Sequence, residues 1–199
     1  MRVIGGKYRS RRLQTLRGTA LRPSSDRLRE TLFNILGTAL QDSIFLDLFA
    51  GSGAVGIEAL SRGARGAIFV ENHPAGVALI SRNLASLGIP VGHQLARRKA
   101  CAGAGEILRL DAVDALERLA EAGVPVDFVF ADPPYANTRA GQEILAFLGQ
   151  SDLLAPTGRV IAEHRRNTVL PPVVGHLQQT RVLKQGESCL SFYRPLLAA

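Results

Sequence analysis

Short apolar segments alternate with longer amphipathic ones from residue 44 onward, and this rhythm predicts a parallel sheet covered by helices. The apolar segments, which predict buried strands, lie at 44–49, 67–70, 107–110, 128–130 and 160–162. The segments with helical periodicity lie at about 54–63, 74–87, 112–122 and 139–149. This order is typical of an α/β domain, because neighbouring parallel strands need a crossover connection that is usually a helix.

The C-terminal part of the chain departs from that rhythm. Residues 180–184 and 189–193 flank the sequence Gln185-Gly186-Glu187-Ser188 and predict an antiparallel hairpin that closes the sheet. The stretch 91–105 mixes alanine, glycine, arginine and lysine without periodicity, and we expect an exposed loop insertion there.

The N-terminal part predicts a small extension in front of the sheet. Residues 2–4 and the alternating stretch 8–13 indicate a basic β-hairpin. Residues 26–36 carry apolar side chains at helical spacing, and Ser24 or Ser25 is a suitable N-cap for that helix. We therefore expect two parts, a basic extension with its helix at 1–40 and an α/β domain at 41–199.

The composition excludes several classes of protein. A chain of 199 residues that is 46% apolar is a folded domain rather than a disordered tail. Two distant cysteines form no disulfide framework, and four dispersed histidines lack the spacing of metal ligands, so no metal is expected. No apolar run approaches the roughly 20 residues of a membrane helix, and no signal peptide precedes the domain. The expectation is a cytoplasmic protein without membrane attachment.

The formal net charge of +7 is confined to one end of the chain. Residues 1–30 hold nine basic and two acidic side chains, so the remainder is neutral. A localised basic surface attracts polyphosphate and releases its counterions, which favours a nucleic-acid partner. A solvated arm that only aids solubility has the same composition, and the charge alone leaves both open. The arginines expected to contact phosphate are Arg9, Arg11, Arg12, Arg22, Arg27 and Arg29.

A glycine-rich loop follows the first predicted strand and opens a helix, which is typical of a nucleotide site. Gly51, Gly53 and Gly56 satisfy G-x-G-x-x-G, and Glu71 ends the next strand 20 residues after Gly51, where a ribose-binding acid is expected. Dinucleotide oxidoreductases and S-adenosylmethionine (SAM) enzymes share this arrangement. Asp47 favours SAM, because a carboxylate before the loop repels a pyrophosphate and attracts the ammonium group of SAM.

Further residues at the ends of the same strands complete the expected cofactor site. Asp111 follows the third strand, where it either contacts the adenine amino group or caps the next helix, and the two roles are compatible. The expected cofactor-binding residues are Asp47, Phe49, Ala50, Gly51, Ser52, Gly53, Glu71, Asn72, Asp111 and Ala112.

The sequence Asp132-Pro133-Pro134-Tyr135 directly follows a central apolar strand and predicts the acceptor site. The lone pair of an exocyclic base amine is delocalised into the ring, so the amine is a poor nucleophile. The Asp132 carboxylate and the Pro133 carbonyl can accept its two hydrogens and direct the lone pair at a methyl donor. Pro134 fixes the turn, and Tyr135 offers a ring on which a flipped base can stack.

These motifs together resemble the bacterial 16S ribosomal RNA guanine-N2 methyltransferases, the small-subunit methyltransferase D family. The resemblance spans nearly the whole chain, and its most specific part is the stretch from Leu21 to Asn34. It implies a class I SAM-methyltransferase fold, Rossmann-like, with a mostly parallel seven-stranded sheet, an antiparallel C-terminal hairpin and the N-terminal extension. It also implies methyl transfer to a guanine of 16S ribosomal RNA in an assembled small subunit, by a monomer with SAM as the donor.

Two other functions remain open from the residues. A DNA adenine-N6 methyltransferase also uses D-P-P-Y, although it gives no reason for the segment 22–34. A catalytically silent RNA-binding assembly factor would keep the basic arm, although it would not need Asp47, Glu71 and Asp132 together.

Overall fold

A computed structural model of the chain describes residues 1–15, 23–92, 103–134 and 139–196. Its strands form one eight-stranded sheet in the order β3-β2-β1-β4-β5-β8-β7-β6. Strands β1 to β5 are parallel, and β8, β7 and β6 complete the sheet with antiparallel pairings. The predicted α/β class, the mostly parallel sheet and the closing hairpin are confirmed.

The elements have the following bounds. The helices are α1 Pro23–Leu36, α2 Ala54–Ser61, α3 Pro74–Ser86, α4 Ala112–Glu121 and α5 Ala140–Leu148, and a short 3-10 helix lies at Gly37–Leu40. The strands are β1 Ile44–Asp47, β2 Gly66–Val70, β3 Ala104–Leu108, β4 Val126–Ala131, β5 Leu154–Arg165, β6 Val173–Val174, β7 Leu177–Gln185 and β8 Ser188–Pro195. The prediction of seven strands omitted β6, which is only two residues long and has no hydrophobic alternation to announce it.

Helices cover both faces of the sheet. On one face α4 and α5 pack against Leu46, Val129 and Val160. On the other face α1 packs against Phe45 and Phe128, and α2 and α3 pack beside it. This arrangement leaves the carboxyl ends of the parallel strands open between the helix layers, where doubly wound folds bind ligands.

The third strand begins earlier than its sequence predicts. It starts at Ala104, inside the stretch expected to be a loop insertion, and Val91 bridges to Gly105 at the other end of that stretch. A Cβ on Gly105 would lie 3.0 Å from a methyl carbon of Leu84 and 3.1 Å from the ring of Phe69. A small residue is therefore needed at this tight place in the strand, and small residues carry little strand propensity. The rest of the predicted insertion lies outside the described residues.

The first helix also begins earlier than predicted. It starts at Pro23, so Ser24 and Ser25 lie inside its first turn and the prediction that one of them is the N-cap was wrong. Proline suits this place, because the first backbone N–H groups of a helix have no partner in the helix. Leu32 and Phe33 of the helix pack in the same hydrophobic cluster as Phe45. Helix α1 is thus part of the core of the sheet, whereas the boundary at residue 40 stays a prediction.

The N-terminal residues form the predicted hairpin, closed by an antiparallel bridge between Arg2 and Arg12. The buried carboxylate of Glu58 on α2 accepts hydrogen bonds from the backbone N–H groups of Ile4 at 2.7 Å and Gly5 at 2.8 Å. Gly6 has a φ of +73° and lies so close to the Ser61 carbonyl that a side chain would overlap it. The hairpin is therefore seated on α2. No described helix is long and apolar enough to cross a membrane.

Candidate active site

Acidic side chains meet at the carboxyl edge of the parallel strands. Asp47 ends β1, Glu71 follows β2, Asp111 follows β3 by three residues and Asp132 follows β4. Because β1 lies between β2 and β4, these carboxylates border one crevice at the point where the strand order reverses. The structure thus brings together the predicted cofactor and acceptor residues that it describes.

The loop after β1 has the backbone that its glycines permit. Gly51 and Gly53 have φ values of +53° and +77°, in the left-handed region where other residues are strained. A Cβ on Gly51 would meet no atom within 4 Å, so this residue borders open space. The loop passes directly into α2, whose first N–H groups have no partner in the helix. This surface admits a ligand close to the backbone.

Glu71 joins two of the loops that border the crevice. Its Oε2 accepts a hydrogen bond from the Gly51 N–H at 2.9 Å, and its Oε1 accepts one from the His73 N–H at 2.9 Å. The side chain also rests against α3, where a Cβ on Gly76 would lie 2.6 Å from the Glu71 carboxyl carbon. Each carboxylate oxygen has a second lone pair, so Glu71 can still accept from ribose hydroxyls.

Asn72 and Asp111 form the far wall of the same region. The Asn72 Nδ2 donates to Asp111 Oδ1 at 2.7 Å. Asp111 stands at the N-cap position of α4, but its side chain makes no capping hydrogen bond. Of the two roles considered for Asp111, capping by the side chain is therefore not observed. The carboxylate lies exposed beside Asn72, where it is available to a ligand.

Asp47 lies under the glycine loop rather than on its surface. It is 1% exposed, and its Oδ2 accepts from the Gly56 N–H at 3.0 Å. Burial raises the pKa of Asp47 to about 7, with smaller upward contributions from the charges of Asp132 and Glu71. The carboxylate supports the loop, and its negative charge acts on a bound ligand through a poorly solvated medium.

Asp132 and the prolines after it occupy the neighbouring strand end. Asp132 is half-buried, and desolvation raises its pKa to about 6. Pro133 is half-buried and Pro134 is exposed. A carboxylate in this position can accept a hydrogen bond from a ligand in the crevice. Tyr135, which was predicted to stack a base, lies outside the described residues, so its role stays a prediction.

Glu163 on β5 was not predicted as a site residue, and the structure places it beside Asp132. The charge of Asp132 and, more strongly, desolvation raise the pKa of Glu163 to about 8. The sequence held a signal for it. Glu163 directly follows the apolar residues 160–162, just as Asp132 directly follows the apolar end of its strand.

The predicted phosphate-binding arginines separate into two groups. Arg9, Arg11 and Arg12 on the hairpin are exposed, and so is Arg27 on α1. Arg22 lies outside the described residues.

Arg29 does not fit the prediction that it contacts phosphate. It is 5% exposed, and its Nη2 donates to the Arg2 carbonyl at 2.7 Å and to Asp26 Oδ1 at 3.1 Å. Its Nε lies 3.9 Å from Glu58 Oε2. These contacts tie α1 to the hairpin and to α2, which gives Arg29 a structural role.

Asn83 on α3 connects the N-terminal arm to the cofactor loop, a contact that sequence reasoning missed. It is fully buried, and its Oδ1 accepts from the Gln14 N–H at 2.8 Å. Its Nδ2 donates to the carbonyls of Gln14 at 3.1 Å and Ser52 at 2.8 Å. One side chain therefore fixes the last described residues before α1 against the glycine loop.

Comparison with known proteins agrees with this site. The family model of conserved hypothetical protein 95 matches residues 1–194. Ribosomal RNA small subunit methyltransferase D of Escherichia coli K12 is 35% identical over 98% of this chain and 89% of its own. A hypothetical protein of Thermus thermophilus superposes with a TM-score of 0.78 and 28% identity, covering 98% of this chain and 99% of its own. A SAM-dependent methyltransferase from Agrobacterium tumefaciens shares the fold, with a TM-score of 0.62 and 16% identity over 92% of this chain and 66% of its own.

Proposed function

The chain belongs to the ribosomal RNA small subunit methyltransferase D family, and we propose that it transfers a methyl group from SAM to the N2 amine of a guanine in 16S ribosomal RNA. The observation that carries this proposal is the position of Asp132 beside the glycine loop. Asp132 ends the strand next to β1 in the sheet, and its charge raises the pKa of Asp47 beneath the loop. A donor held on the loop and an acceptor held by Asp132 would therefore face each other.

The residues of the crevice fit SAM. Gly51 borders open space, Glu71 keeps free lone pairs for the ribose hydroxyls, and Asn72 with Asp111 offers polar groups to the adenine. The buried charge of Asp47 favours the cationic methionine end. When bound, SAM supplies an electrophilic methyl group, whose bond to sulfur breaks as the bond to nitrogen forms. A neutral thioether then remains.

The acceptor residues act mainly by placement. The carboxylate of Asp132 and the carbonyl of Pro133 accept the two hydrogens of the amine, which turns its lone pair towards the methyl group. No strong base is required, because the amine becomes acidic only as the new bond forms. Asp132 can accept that proton and release it to water, since the residue is half-exposed.

The exposed arginines of the hairpin support a ribosomal RNA substrate. Arg9, Arg11 and Arg12 lie on the hairpin that is seated on α2, the helix opened by the glycine loop. Arg27 adds a charge on α1. Phosphate contacts from this surface would hold the RNA while its base reaches the crevice. We further propose that the assembled small subunit is the substrate, that the enzyme acts as a monomer and that it needs no metal.

The test is incubation of the protein with methyl-labelled SAM and small subunits from cells that lack its gene. Naked 16S RNA and double-stranded DNA serve as parallel substrates, and nucleosides are analysed afterwards. We expect label in N2-methylguanosine from the subunit, and none with Asp132→Asn although that variant binds SAM. Label in N6-methyladenine of DNA would overturn the proposal. Binding of RNA without any methyl transfer would favour an assembly factor instead.

A further inference from the structure

Asp132 and Glu163 occupy matching positions on neighbouring parallel strands. The register pairs Phe130 with Ile161 and Ala131 with Ala162, so Asp132 and Glu163 form the next pair. Side chains alternate along a strand, and Phe130 and Ile161 belong to the same hydrophobic cluster. The two carboxyl groups therefore lie on one face of the sheet, at its carboxyl edge and beside each other.

Two carboxyl groups this close in a half-buried place do not ionise together at neutral pH. The pKa of Asp132 is raised to about 6 and that of Glu163 to about 8, and the charge of Asp132 contributes to the second shift. Between these values the pair carries one proton and one negative charge. The charge then lies on Asp132 and the proton on Glu163.

We propose that Glu163 is a positioning residue of the acceptor site, whose protonated carboxyl donates a hydrogen bond to the Asp132 carboxylate and leaves Asp132 to accept from the amine. This role rests on the proposed function. It explains how an acceptor carboxylate keeps its orientation without a cation beside it. An ionised Glu163 would instead repel Asp132 from the amine, so the active form of the pair is the singly protonated one.

The proton balance of the step fits this arrangement. The guanine amine loses one N–H proton as the methyl carbon leaves sulfur and bonds to nitrogen. Asp132 takes that proton, which leaves both carboxyl groups neutral for a moment. The proton then passes to water from the half-exposed pair, and Asp132 returns to its ionised state.

Other groups that face the pair are few among the described residues. The Ser188 hydroxyl on β8 hydrogen-bonds to Glu163 and lowers its pKa, because it stabilises the ionised form. Asp47 on β1 interacts with the charge of Asp132. Arg165 on β5 is exposed two residues further along, and α1 carries Asp26 and Arg27 on its first turn. None of these cations contributes to the raised pKa of either carboxyl group.

The test is the pH profile of single-turnover methyl transfer at saturating SAM. The wild-type rate should rise as Asp132 ionises near pH 6 and fall about tenfold between pH 7 and 9, as a pKa of about 8 requires. Glu163→Gln should lose the fall at high pH, because glutamine cannot ionise. Ser188→Ala should move the fall to higher pH, because the hydroxyl that lowers the pKa of Glu163 is gone.

The matched control is Glu187→Gln, which removes an exposed charge one residue from Ser188 and should keep the wild-type profile. SAM affinity and the melting temperature are measured for every variant. The proposal is overturned if Glu163→Gln keeps the fall at high pH. It is also overturned if that variant folds and binds SAM but is inactive at every pH, because ionised Glu163 would then be required. If Glu163→Gln does not fold, an unshifted profile in Ser188→Ala overturns it, whereas absence of N2-methylguanosine from the wild type rejects the proposed function itself.

Discussion

Glu71 has two tasks at the residue scale, since the side chain that would hold the ribose also holds the loops around it. Its oxygens accept from the N–H groups of Gly51 and His73, on either side of the crevice. Binding of a ribose would therefore add hydrogen bonds to a carboxylate that is already fixed in place. Pre-orientation of this kind lowers the entropic cost of binding.

Glu71→Ala should weaken SAM binding by about 1.5–3 kcal/mol or more, the cost of losing hydrogen bonds to a charged acceptor. The loss of the Gly51 contact should add to that cost. Calorimetric titration with SAM measures it, and the control is Glu117→Ala on the exposed side of α4. An unchanged dissociation constant for Glu71→Ala would show that this carboxylate does not bind the donor.

Asp47 should make SAM affinity depend on pH. Its pKa is raised to about 7 in the folded protein, so the group contributes stability that is full below its unfolded pKa and is lost as the pH rises through about 7. A cationic ligand favours the ionised carboxylate, so SAM affinity should increase about tenfold from pH 6 to 8. Asp47→Asn should lose this increase, and any dependence that remains in the variant belongs to SAM itself. Equal slopes in both proteins would contradict the role of Asp47.

At the scale of elements, α3 carries the connection between the N-terminal arm and the cofactor loop. The side chain of Asn83 satisfies both backbone groups of Gln14 and the carbonyl of Ser52. A single buried amide therefore couples the position of the arm to the shape of the glycine loop.

Asn83→Ala should lower the free energy of unfolding by at least about 2 kcal/mol, because it leaves buried backbone groups without partners. SAM affinity should fall as well, since the Ser52 carbonyl loses its support. Chemical denaturation and calorimetry test the two effects. Ser86→Ala, one turn further along α3, is a suitable control because its hydroxyl bonds only within the helix. Full SAM affinity in a destabilised Asn83→Ala would separate the arm from the loop.

The sequence predicts the elements whose hydrophobic pattern is set by the sheet, and fails where a contact sets the structure. Strands β1, β2 and β4 are buried throughout, or nearly so, and their apolar runs reveal them. The start of β3 is hidden because Gly105 is required by the closeness of Phe69 and Leu84, which lie elsewhere in the chain. The error for Arg29 has the same origin, since only the fold brings Glu58 beneath it.

For the whole molecule, the decisive feature is that the charged arm and the chemistry lie on neighbouring elements. The hairpin is bound to α2 through Glu58, and α2 begins at the glycine loop. Arg11 also donates to the Ser86 carbonyl at the end of α3 at 3.0 Å. The basic surface is thus fixed relative to the crevice, as an enzyme that places one base of a large RNA requires.

Replacing Arg9, Arg11 and Arg12 together by glutamine should weaken the salt dependence of binding to the ribosomal substrate. Each phosphate contact contributes roughly 0.7–0.9 to the slope of log affinity against log salt, so three lost contacts should reduce it by about 2 to 3. SAM affinity should not change, because these exposed side chains lie outside the crevice. The melting temperature should move little, since exposed arginines contribute little to folding. A triple variant with the wild-type slope would remove these arginines from the RNA surface, and aggregation without a change of slope would identify the arm as a solubility element.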